Sequence, residues 1–135
     1  VDPFWTVTRV RRVLRYYHEL AAGARPPRDP RMPPSPPPRL RAELDPPELE
    51  AARLLADLHL GLARLHAYRP DWFELLVLLY IVGVPDDPHW FRRRELERCA
   101  LYAAATGRSY REVVRSLTAA TVTVAALLAG DPPPV

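Results

Sequence analysis

Arg108, Arg111 and Arg115 recur at steps of three and four, a spacing that places side chains on one face of a helix. A row of guanidinium groups suits phosphate contacts. Such contacts give affinity for a nucleic-acid backbone without reading its sequence. These three arginines are therefore the first candidates for a DNA-binding role. The competing use is a solvated helix face laced by pairs such as Arg94–Glu97 and Arg108–Glu112.

Little else in the chain has the spacing for chemistry. His59 and His66 are seven residues apart on one helical face, whereas metal ligands on a helix are more often three or four apart. The single cysteine, Cys99, excludes an intrachain disulfide and reads as a core residue. Asp86 and Asp87 read as turn and cap chemistry. There is no Gly-rich phosphate loop and no Ser, His and Asp set. Trp72, Phe73, Trp90 and Phe91 flank an acidic turn and read as core anchors. The expectation is no enzyme, no catalytic residue, no metal and no cofactor.

The 135 residues are 48% hydrophobic, enough for one domain with a real core. Lys, Asn and Gln are absent, so all 19 positive charges are Arg and the net charge is +3. Both ends are basic, while residues 71–90 hold four acids and no arginine. That asymmetry is compatible with an anionic partner. No segment reads as membrane-spanning, since the most apolar run, residues 72–84, is short and interrupted by Glu74 and Gly83. No secretory signal is visible at the start. A cytoplasmic protein with no membrane partner is the expectation.

The elements that would position these residues are all helical. The spacing predicts a first helix over residues 1–23, capped at Asp2, with its seam at Val7, Val10, Leu14 and Tyr17. Residues 24–44 form a Pro/Arg-rich stretch that reads as an extended connector. A helical domain then fills residues 45–130, with a tail at 131–135. "DPPELE" opens its first helix, which ends at Arg69-Pro70. The next helix, from Asp71, is apolar almost all round and is expected at the buried centre. Asp87-Pro88 should start another, closed by Gly107. Ser109 caps the last pair, with a turn at 117–120 and a stop at Gly130. The fold class is all-α, a small bundle of about six helices ending in a helix-turn-helix over 108–129.

Val113, Val114 and Leu117, then Val124 and Leu128, supply the apolar offsets of that motif, with ten residues from Val114 to Val124. Ser109-Tyr110-Arg111-Glu112-Val113 with Thr123-Val124 resembles sigma-70 region four. The same helix-turn-helix occurs in phage transcriptional regulators of the ArpU and RinA kind, and the close match covers residues 101–128. The resemblance implies a DNA-binding regulator of phage or prophage transcription, with DNA, RNA polymerase or another protein as partner. Val113, Val114, Leu117, Val124 and Leu128 would be the motif core and 120–126 the recognition helix. In that helix only Thr121 and Thr123 can hydrogen-bond to bases, so readout would be weak. Thr118 stands where the family turn usually has Gly, and Val114 where it has Ala.

A second reading keeps the shape and gives up the DNA. The apolar last helix would then assemble the chain, as a homo-oligomer or on a protein partner, through a degenerate motif. The two readings make different demands on the fold. A regulator needs Arg108, Arg111 and Arg115 facing outward beside an accessible last helix. An interaction module needs that helix buried and a contiguous apolar patch elsewhere.

Overall fold

A computed structural model describes residues 4–24 and 46–130, and these are helical with no strand. The elements are α1 (Val7–Arg15), α2 (Tyr17–Ala24), α3 (Pro46–Tyr68), α4 (Pro70–Val77) running on as a π-helical turn (Leu78–Val82), a 3-10 turn (Trp90–Arg92), α5 (Glu95–Thr106) and α6 (Tyr110–Ala129). The architecture is an all-α bundle of six helices. Asp2, Pro3, Asp45, the connector and the tail lie outside the described residues, as do the helix starts and caps expected there.

The first helix is broken in two. Thr6 caps α1, its hydroxyl accepting from the Arg9 amide at 3.2 Å. At Tyr16 the backbone leaves helical geometry, with φ −101° and ψ 20°. This break lets Tyr17 turn toward α3 while Val10, Val13 and Leu14 stay in the core.

The largest departure from expectation is at the C-terminal end. Tyr110–Ala129 is one unbroken helix of 20 residues, and the turn expected at 117–120 does not form. Nothing in "LTAA" stops a helix: there is no Gly, Pro or Asn. Val113, Leu117, Ala120 and Val124 are all buried at steps of four, three and four. The apolar seam thus runs straight through the supposed turn. Thr118 sends its hydroxyl back to the Val114 carbonyl at 3.1 Å. Six helices are reached by a different division from the expected one: the first divides and the last two fuse.

The buried centre also moves. α6 packs against α1, α3, α4 and α5, so it takes the place expected of the helix after Asp71. At its crossing with α3, Gly61 is required by contact. A Cβ there would lie 2.9 Å from Leu128 Cγ. A continuous α6 is also long and apolar enough to cross a membrane by length and composition, with a mean hydropathy of 1.5. Here its seam is packed into the bundle, and what remains exposed includes Arg111, Arg115, Thr118 and Val122.

Local cap chemistry holds where it acts alone. Gly107 and Gly130 are left-handed, with φ 70° and 83°, and each ends a helix. The Ser109 hydroxyl accepts from the Glu112 amide at 3.1 Å. Ser109→Ala is expected to lower stability by about 1 kcal/mol, the usual loss for an N-cap, as read by urea unfolding.

Asp87 does not start a helix as expected. α5 begins at Glu95, with Arg94 at its N-cap. Asp87 instead accepts from the His89 amide at 3.0 Å and pairs with Arg93 at 2.7 Å. The hydrogen bond from Arg93 holds the Asp87 carboxyl below the usual carboxylate range. Arg93 also reaches Glu97 at 2.8 Å. Hence Arg93–Glu97 forms, rather than the expected Arg94–Glu97 pair.

Candidate binding groove

The groove begins with a helix stripe. His59, Leu62, Ala63 and His66 fall at steps of three, one and three on α3 and share a face. The chain turns back at Arg69, whose guanidinium pairs with Asp71 at 2.8 Å and covers the Trp72 ring at 3.9 Å. Pro70 at the first position then starts α4. Phe73, Val77 and Ile81 recur every four residues and face the α3 stripe. Tyr17 of α2 closes one end. Together these eight side chains line an open groove of about 480 Å3.

Two contacts tie its polar atoms. The Tyr17 hydroxyl and His59 Nε2 are 2.8 Å apart. The His66 ring meets Phe73 edge-on, with centroids 4.7 Å apart. The ring contacts continue beyond the lining: Tyr17 meets His18 at 5.5 Å, and His18 meets Phe91 at 4.4 Å. No carboxylate lines the groove.

The far end of α4 is shaped by the π-helical turn. The Gly83 amide donates to the Leu78 carbonyl at 3.1 Å, five residues back, so one extra residue is held in the turn. Leu79 and Tyr80 are thereby buried while Ile81 reaches the groove. Carbonyls in such a turn need partners. The Trp90 indole donates to the Leu78 and Leu79 carbonyls at 3.1 and 3.3 Å, and Arg98 Nη1 also donates to Leu79.

Beside this turn lies a polar cluster inside the bundle. The Tyr80 hydroxyl donates to Glu95, which also pairs with Arg15 at 3.2 Å. Burial, then the bond to Glu95, raises the Tyr80 phenol, so it stays a donor. Cys99 is fully buried, and burial pushes its thiol up, away from the reactive thiolate. This cluster joins α1, α4 and α5, and its groups are occupied with one another.

The residues expected to bind DNA are not brought together as a reading surface. Arg111 and Arg115 are exposed at the start of α6. Neither is paired with a carboxylate among the described residues. Arg108 is half-buried and donates to Ser116 Oγ at 3.1 Å, rather than pairing with Glu112. Thr121 and Thr123 are 0% exposed. Their hydroxyls bond to the Leu117 and Ala119 carbonyls at 3.1 and 2.8 Å, which satisfies them inside the core. Neither can reach a base edge in this fold, which corrects their assignment to a recognition helix. Val113, Leu117 and Val124 are buried, and Val114 and Leu128 are half-buried against the same core, all on one helix.

Sequence reasoning missed the groove itself. It placed His59 and His66 on one face and Phe73 among the core anchors, but weighed them only as metal ligands and packing. The available signal was the pair of stripes, 59/62/63/66 and 73/77/81, on either side of the Arg69-Pro70 reversal. Comparison with protein-family models, with curated proteins and with solved structures finds no match to this chain.

Proposed function

We propose that this chain is a helical binding module that takes up an apolar group in the groove between α3 and α4, and that it does not read DNA sequence through a helix-turn-helix. One observation carries this reading. The last helix is buried as a single piece, and a contiguous apolar surface lies elsewhere, on α2, α3 and α4. That is the pair of features an interaction module requires and a groove-reading regulator does not. The volume of the groove falls in the range of small-molecule sites, roughly 300–1,000 Å3.

The test uses N-phenyl-1-naphthylamine, a neutral apolar dye that brightens when it leaves water. Wild type is expected to enhance its emission saturably. Ala63→Trp is expected to abolish the enhancement. Ala63 is exposed on the groove wall, so an indole there fills the groove without entering the core. Equal binding by the variant, with folding verified by circular dichroism, would show the dye to sit elsewhere and reject the groove as the site.

A second reading has its own support. Arg111 and Arg115 are exposed and free of carboxylates among the described residues, as backbone phosphate contacts require. It predicts salt-sensitive, sequence-independent binding to a DNA duplex, read by fluorescence anisotropy. Arg111→Ala/Arg115→Ala should lower the slope of log affinity against log salt by about one per lost contact. Absence of binding at low salt would remove this reading.

A further inference from the structure

We infer that the groove takes an amphipathic anion, an apolar body ending in a carboxylate, sulfonate or similar head, and that the head is received by Tyr17 with His59 behind it. This rests on the groove being the binding site. The apolar body follows from Leu62, Ala63, Phe73, Val77 and Ile81, which form the walls. Their length sets its size. Phe73 to Ile81 spans eight residues, about 12 Å of helix, which matches a chain of about eight carbons.

The sign of the head follows from the polar atoms. The only ones in the lining side chains are the Tyr17 hydroxyl and the two imidazoles of His59 and His66. All can donate to an anion, and no carboxylate opposes one. The surrounding elements add no opposing charge. α4 brings only Phe73, Val77 and Ile81 to the lining, and α2 brings Tyr17 with His18 edge-on beside it. Glu19 and Glu74 stand on the same helices but not in the lining. α1 and α6 meet α3 on its far side, through Trp5–Asp57 and Leu128–Gly61.

The 2.8 Å bond between Tyr17 and His59 makes reception of the head proton-linked. With His59 neutral and Nε2 unprotonated, that nitrogen accepts the phenolic hydrogen, and the hydroxyl has none to offer a ligand. When His59 takes a proton from solvent, Nε2 becomes the donor to the Tyr17 oxygen. The phenolic hydrogen is then released toward the groove, where an anionic oxygen accepts it. The imidazolium stands behind that hydrogen bond as a countercharge. Imidazole side chains change charge between about pH 5 and 8, so uptake should strengthen across that window as pH falls.

The experiment displaces N-phenyl-1-naphthylamine from the full chain with 1-octanesulfonate or 1-octanol, below their aggregation limits, at pH 5.5 and pH 8. Neither competitor titrates in this range, so any pH dependence belongs to the protein. Octanesulfonate is expected to bind about tenfold more tightly at pH 5.5 than at pH 8, with octanol unchanged. Tyr17→Phe, which keeps the ring, should bring the two competitors within about twofold at pH 5.5 and leave octanol affinity intact. His59→Gln should abolish the pH dependence. If octanol matches octanesulfonate at both pH values, or Tyr17→Phe keeps the preference, the anion assignment is overturned and the groove stands. If the dye itself fails to bind wild type, the groove reading fails, and this inference with it.

Discussion

Gly83→Ala is expected to destabilise the protein by about 3 kcal/mol, a large fraction of what a domain of this size has. Two causes add. Gly83 has φ 75° and ψ −172°, a region that is essentially glycine-only, where strain costs about 1–3 kcal/mol. A Cβ there would also lie 2.9 Å from Phe91 Cε2 and 3.0 Å from Trp90 Cδ1. Phe91 is exposed and can swing aside. Trp90 cannot, because it is buried and its indole holds the Leu78 and Leu79 carbonyls. Losing those bonds costs about another 1 kcal/mol. Gly107→Ala is the internal control. Its φ is also positive, at 70°, but nothing lies within 4 Å of its added Cβ, so only about 1 kcal/mol is expected. Urea unfolding of both variants separates the two causes. Equal losses would show that Trp90 yields easily and does not fix the π-helical turn.

Thr118→Pro is the second large effect, and it decides between a continuous helix and a helix-turn-helix. Thr118 is the ninth residue of α6, well inside the helix. Proline there removes an amide donor and collides with the turn before it, costing about 3 kcal/mol or more. A turn at 117–120 would accommodate the same substitution far better. Thr118→Gly supplies a test of opposite sign. In a helix it loses up to about 0.5 kcal/mol. In a turn needing positive φ it would gain stability. A Thr118→Pro protein with wild-type unfolding and a gain for Thr118→Gly would falsify the unbroken α6.

The residues legible from sequence are those whose conformation is decided within a few neighbours. Ser109, Gly107 and Gly130 act through their own backbone and the next turn, so cap rules place them. The seam of α6 was legible as well, since Val113, Leu117 and Val124 are buried as their spacing requires. What the resemblance added was a bend, and bends are decided by tertiary demand. Continuing the helix keeps Ala120, Thr121 and Thr123 in the core, and their hydroxyl bonds to carbonyls leave nothing unsatisfied. The same conflict explains residues 87–94. Asp87-Pro88 is a sound local start signal, but Trp90 is needed over the π-helical turn, and an α-helix from Asp87 would not deliver it there. The groove was hidden for another reason. It belongs to two stripes that acquire meaning only after the chain reverses at Arg69.

The π-helical turn has a consequence for how this chain tolerates changes of length. It stores one residue more than an α-helix needs between Leu78 and Gly83. Each residue of an α-helix advances the azimuth by about 100°. Removing one residue there would let an ordinary helix close at little cost to its own hydrogen bonds, yet everything after it would arrive about a quarter-turn out of phase. Ile81 would rotate off the groove wall, and Trp90 would lose the carbonyls it holds. The groove wall is thus written as a count of residues as much as a choice of side chains, so a single-codon deletion in this stretch would do what few substitutions could.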